Sequence, residues 1–147
     1  MKKIRILFVC KFNRFRSMVA EAYLNKIKRN RNVLVNSAGI IQGFLPLDKN
    51  QVKIAKEYGI LIKGKPKAMS MEMLRKQDKI IIVANDIPKQ IFIVPKGARK
   101  DYPYGEKVMI WNVPDVKRGN DISGNKKSIE FIIRKVNELN KQLREGK

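Results

Sequence analysis

Histidine is absent from this chain, and cysteine and tryptophan occur once each. Without imidazole, acid–base chemistry must come from carboxylate, lysine, tyrosine or cysteine. A single cysteine excludes an internal disulfide. Together these two shortages leave no Cys/His set for a metal ion, so neither a metal nor a cofactor is expected. Acidic residues are also scarce: 13 Asp and Glu stand against 33 Lys and Arg, for a formal net charge of +20. That excess favours anionic partners. The charge is spread along the chain, with no compact basic tail and no RNA-binding signature. Nucleic acid therefore stays open through the basic surface but is not favoured. No apolar run approaches the ~20 residues that cross a bilayer, and the short apolar run after the basic N-terminus lacks a small-residue cleavage site. The expectation is a cytoplasmic protein with no membrane association, where a lone thiol stays reduced.

What is present fits one domain over residues 1–147, long enough for a real core. Ile4 to Val9 is a short apolar run of strand formers. Val19, Ala20, Tyr23, Leu24 and Ile27 then recur at helical spacing, with Ser17 as the expected N-cap. Val33-Leu34-Val35 reads as a second strand ending at Ser37-Ala38-Gly39. A helix is expected from about Asp48 to Tyr58 with Gly59 as its C′ residue, and a helical turn capped by Ser70. Lys79 to Ala84 is a continuous apolar strand of the kind that fills the centre of a parallel sheet. Val108 to Trp111 is the next strand, and the last helix runs from about Lys126 to Arg144. The stretch from Pro95 to Glu106 reads as loop. Alternating strands and helices imply βαβ units and a parallel sheet, with ligands beyond the carboxyl ends of the strands. Cys10, Ser37, Asn85 and Asp115 all fall at or near such ends.

The organising stretch is Val9-Cys10-Lys11-Phe12-Asn13-Arg14-Phe15-Arg16-Ser17. A thiol ends a strand, five residues intervene, and an arginine precedes a helix. A loop of that length can wrap the equatorial oxygens of a phosphoryl group with backbone N–H groups, beside the positive end of a helix. Such surroundings favour the nucleophilic thiolate form of cysteine. Arg16 can add a bidentate fork, which lysine cannot. Ser17 is placed to donate its hydroxyl toward the sulfur. Asn13 tolerates the left-handed backbone of a tight anion loop, and Ser37 could hydrogen-bond back to it. The candidate substrate-binding set is Lys11, Phe12, Asn13, Arg14, Phe15 and Ser17, with Ser37 in support. Phe12, Phe15 and Phe44 are either an aromatic rim for a phenyl phosphate or core residues.

Cys-x5-Arg-Ser followed by Met18-Val19-Ala20-Glu21 resembles the low-molecular-weight protein tyrosine phosphatase and arsenate reductase family. Asn13 matches the family's loop asparagine, Asn36 to Ile40 its second-strand motif, and Ile80 to Asp86 its third-strand segment. The resemblance implies a three-layer α-β-α sandwich with about four parallel strands in the order 2-1-3-4 and an N-terminal phosphate-binding loop. It implies hydrolysis of phosphotyrosine-type monoesters, on a phosphorylated protein or small phosphomonoester, through a cysteinyl-phosphate on Cys10. Arg16 would stabilise the transition state, and a carboxylate would act first as acid and then as base. Asp115 occupies the place of the family's acid, although the order here is Pro114-Asp115-Val116 rather than Asp-Pro. Asp101 is the runner-up and Asp86 a third, more structural, option. Phe12 stands where the phosphatases commonly have glycine, and Phe15 where several carry a protective second cysteine. Alternatives are arsenate reduction using an external thiol, since this chain has no further cysteines for an internal relay, and a non-catalytic phosphate- or nucleic-acid-binding protein on the same fold.

Overall fold

The computed structural model describes residues 2–92, 107–116 and 120–144. Its elements alternate as the sequence pattern requires: β1 (Ile4–Cys10), α1 (Arg16–Ile27), β2 (Val33–Gly39), α2 (Lys49–Glu57), α3 (Met71–Arg75), β3 (Lys79–Val83), β4 (Val108–Trp111) and α4 (Ile122–Arg144), with a 3-10 turn at Lys89–Phe92. The strands form one sheet in the order β2-β1-β3-β4. All three pairings are parallel, with Ile6 opposite Val35 on one side and Lys79 on the other.

Alternate side chains of the strands feed two separate cores. Ile6, Phe8, Ile81 and Val83 face one layer, packed under α1, α2 and α4 through Val19, Leu24, Ile54, Ile129, Ile132 and Val136. Leu7, Val9, Ile80 and Ile82 face the other, covered by Leu74 of α3 and by Phe92. This gives the three-layer α-β-α arrangement. From Ile6 to Cys10 β1 is buried on both faces, which is why that stretch is a continuous apolar run with no polar alternation; Arg5 lies at its half-buried start. Trp111 belongs to packing, its ring 5.6 Å from that of Phe8.

Local signals behave as chemistry dictates. Asp48 accepts the Gln51 N–H and caps α2, Ser70 accepts the Met73 N–H and caps α3, and Gly59 follows α2 at φ +73°. Two helix starts differ from expectation. α1 begins at Arg16, and Ser17 does not cap it; its hydroxyl turns inward instead. α4 begins at Ile122 rather than near Lys126, because the Asp121 carboxylate accepts the Gly124 N–H at 3.0 Å and carries the first turn across a glycine. Among the described residues no helix is long and apolar enough to cross a membrane.

Candidate active site

β1 pairs with β2 on one side and β3 on the other, so the chain leaves its carboxyl end at the point where the topology switches direction. That is where an open α/β sheet forms a crevice. Cys10 is the last residue of β1, and α1 starts six positions later at Arg16. Between them the loop is held from below. Ile40 N–H donates to the Cys10 carbonyl and Ile41 N–H to the Lys11 carbonyl, both at 3.1 Å. Gly39 allows this approach: a Cβ there would lie 2.7 Å from the Phe12 carbonyl carbon and 2.9 Å from the Asn13 nitrogen.

Asn13 adopts φ 57° and is fully buried. Its side chain compensates for that strained backbone with a complete set of bonds. Nδ2 donates to Ser17 Oγ at 2.8 Å and to Ser37 Oγ at 2.9 Å, while Oδ1 accepts the Lys67 N–H at 3.1 Å. Ser17 Oγ lies 2.9 Å from Cys10 Sγ. Ser37 in turn donates to Glu21 Oε1 at 2.6 Å. Among the described residues, no backbone N–H of residues 11 to 16 donates to another protein group. The loop therefore keeps its donors for a ligand.

Arg16 is 4% exposed, and its guanidinium is fixed on three acceptors. Nη1 donates to the Val113 carbonyl at 2.9 Å, and Nη2 lies 3.2 Å from Asp86 Oδ1 and 3.7 Å from Asp115 Oδ1. Asp86 follows β3 and Asp115 follows β4, so two neighbouring strands each deliver one carboxylate to the same cation.

The structure thus brings Cys10, Asn13, Arg16, Ser17, Ser37 and Asp115 together. Two proposed ligand contacts need correction. Phe15 is 6% exposed and sits in the core under α1, so its ring is no rim; the short turn into α1 forces it inward. The Arg14 guanidinium is engaged on the Pro46 carbonyl at 2.7 and 2.9 Å and ties the 42–48 loop to the anion loop instead of facing a substrate. Phe12 and Phe44 remain exposed, and Lys11 Nζ lies 5.4 Å from the centre of the Phe12 ring. Asp101 lies outside the described residues. Asp86, the more structural option in the sequence, is nearer to Arg16 than Asp115 is. Sequence reasoning missed the roles of two residues: Gly39 reads there only as a strand end and Glu21 only as part of the motif after Ser17, although a carboxylate one helical turn beyond Ser17 is a readable signal. No group of three or more Cys, Asp or Glu side chains is placed to hold a metal ion among the described residues.

The model of the low molecular weight phosphotyrosine protein phosphatase family matches residues 5–147. This chain belongs to that family. A search of curated proteins finds no match. Among solved structures, the chain is similar to the YwlE arginine phosphatase from Geobacillus stearothermophilus, at 19% identity and a TM-score of 0.79, over 97% of this chain and 94% of that one. A protein tyrosine phosphatase from Entamoeba histolytica with Hepes in its active site aligns at 22% identity and a TM-score of 0.79, over 98% and 99%. An arsenate reductase from Archaeoglobus fulgidus aligns at 20% identity and a TM-score of 0.67, over 92% and 98%. At these identities the likeness establishes the shared fold.

Proposed function

We propose that this phosphatase-family chain hydrolyses phosphotyrosine-type monoesters through a cysteinyl-phosphate on Cys10. The observation that carries the reading is the 2.9 Å contact between Cys10 Sγ and Ser17 Oγ, at the root of a loop whose N–H groups have no protein acceptor among the described residues and whose far end holds Arg16. In the first step the Cys10 thiolate attacks phosphorus and the phosphorus–oxygen bond breaks. Asp115 gives its proton to the leaving oxygen. The loop N–H groups and the Arg16 guanidinium take up the charge of the equatorial oxygens. In the second step the Asp115 carboxylate removes a proton from water, whose oxygen attacks phosphorus. The sulfur–phosphorus bond breaks, and the Ser17 hydroxyl, keeping its proton, hydrogen-bonds to the departing thiolate.

Asp115 is favoured over Asp86 because it is the more exposed, 50% against 32%, and makes the longer contact with Arg16. An acid that shuttles protons to substrate and water must be able to leave the cation. Asp86 is better suited to hold the guanidinium in place. The exposed Phe12 ring beside the loop supports an aromatic leaving group.

The test is hydrolysis of para-nitrophenyl phosphate from mildly acid to neutral pH, with Cys10→Ser and Asp115→Asn alongside. Turnover abolished by the first change and reduced by the second is expected; a folded wild-type protein without turnover would sink the reading. Parallel assays with phosphotyrosine and phosphoarginine peptides, and with arsenate plus an external thiol, decide the substrate class among the chemistries carried on this fold.

A further inference from the structure

Glu21 takes no part in the steps above, yet it closes the hydrogen-bond chain that ends on the nucleophile. We infer that Glu21 is a positioning residue: its carboxylate takes the Ser37 hydrogen, which keeps Ser37 Oγ an acceptor for Asn13 and so helps hold Asn13 and the Ser17 hydroxyl in the arrangement that donates to the sulfur. The inference rests on Cys10 being the nucleophile of the proposed function.

The direction follows from the donor inventory. Lys67 N–H can only donate, so the Asn13 atom facing it is the carbonyl oxygen, and both Asn13 Nδ2 hydrogens point to Ser17 and Ser37. Ser37 Oγ must then accept from Asn13 and send its own hydrogen elsewhere. It is 1% exposed, so water is no outlet. Its hydrogen goes to Glu21 Oε1 at 2.6 Å, and an ionised carboxylate can only accept. Ser17 Oγ likewise accepts from Asn13, which leaves its hydrogen free to donate to Cys10 Sγ. Donation to sulfur stabilises the thiolate, whereas acceptance would stabilise the thiol.

Without the Glu21 acceptor, the buried Ser37 hydrogen has no fixed direction, and wherever it turns toward Asn13 Nδ2 donor meets donor. An amide flip would relieve that clash only by placing Nδ2 against Lys67 N–H. The conflict loosens the Asn13 to Ser17 bond and frees Ser17 to accept from the thiol. Glu21 also lines an open pocket of about 520 Å³ with Lys26 and Lys63.

The experiment is the rate of Cys10 alkylation by iodoacetamide across a pH series, for wild type, Glu21→Ala, Glu21→Gln and Ser37→Ala, with thermal unfolding alongside. At mildly acid pH, Glu21→Ala is expected to react about tenfold more slowly, the scale of one hydrogen bond to a charged group. The deficit should vanish at alkaline pH, where the thiol ionises in every variant. Ser37→Ala should copy this profile and carries the test if Glu21→Ala fails to fold. Glu21→Gln, whose amide oxygen can still accept from Ser37, should keep most of the rate. A wild-type rate in acid, a deficit equal at all pH values, or a Glu21→Gln loss as deep as that of Glu21→Ala overturns the inference. Alkylation needs no turnover, so a missing phosphatase activity would sink the proposed function without mimicking any of these results.

Discussion

The two ends of this site are built in opposite ways. At the nucleophile end, Asn13, Ser17 and Ser37 are each at most 1% exposed, and Cys10 is 3% exposed. Each of these side chains has a hydrogen-bond partner, and Asn13 alone makes three side-chain bonds. At the acid end, Asp115 is half exposed and touches Arg16 only at 3.7 Å. The difference separates two physical demands. A nucleophile must wait in one place, in a strained loop whose cost is offset by buried hydrogen bonds. An acid that becomes a base must exchange its proton with substrate and water, which a fully satisfied buried carboxylate could not do. Arg16 joins the two ends, being buried like the first and paired with the carboxylates of the second.

The sharpest way to break this comparison is at the sulfur. Cys10→Ser should lower turnover of para-nitrophenyl phosphate by at least about a thousandfold, because a serine hydroxyl in this loop is not ionised at neutral pH. Retained turnover would remove the nucleophile end altogether. Next comes the choice between carboxylates. Asp115→Asn should reduce kcat about a hundredfold and flatten the pH dependence of the step it serves. Asp86→Asn should act mainly on KM by loosening Arg16. The reverse pattern would exchange their roles.

The rigidity of the loop is tested by Gly39→Ala. The new methyl would press on loop backbone at 2.7 to 2.9 Å, which cannot yield as a flexible side chain would. A loss of about 2 kcal/mol in stability is expected, read by urea unfolding, together with reduced activity. A stable, active Gly39→Ala protein would show that the loop is softer than the geometry implies.

The smallest effect lies away from both ends. Burial first, and then the Glu130 carboxylate that accepts its hydroxyl at 2.7 Å, push the Tyr58 phenol up to about 12 from the ordinary 10.0. The neutral phenol is therefore favoured in the fold. Its contribution is fully present below pH 10 and is lost as pH rises through about 12. Tyr58→Phe should shallow that alkaline slope in a denaturation series while leaving turnover at neutral pH unchanged. A change in turnover would tie the α2–α4 contact to the site.

Much of the nucleophile end was legible in the chain because it is local. Cys10, Asn13, Arg16 and Ser17 lie within one loop and the first turn of one helix, and strand, loop and helix signals fix their relative places. The same locality made α1 legible but misplaced its cap. Ser17 has the chemistry of a cap, and only the position of the sulfur shows that its hydroxyl is engaged elsewhere. Phe15 could not be assigned to rim or core by composition, because both want an aromatic ring; the direction of the turn into α1 decided it. Arg14 read as a ligand for anions until the 42–48 loop supplied Pro46 as its acceptor.

The sequence by itself determined the alternation of strands and helices, the parallel sheet buried on both faces, and the thiol, arginine and serine at the end of the first strand. These follow from periodicity, capping chemistry and short spacing, all of which act within a few residues. Only the tertiary structure decided that Asp86 and Asp115 converge on Arg16, that Ser37 carries Glu21 to Asn13, and that Gly39 lies beneath the loop. Those contacts join residues brought together by strand order and register, and side-chain chemistry alone does not encode which strand lies beside which.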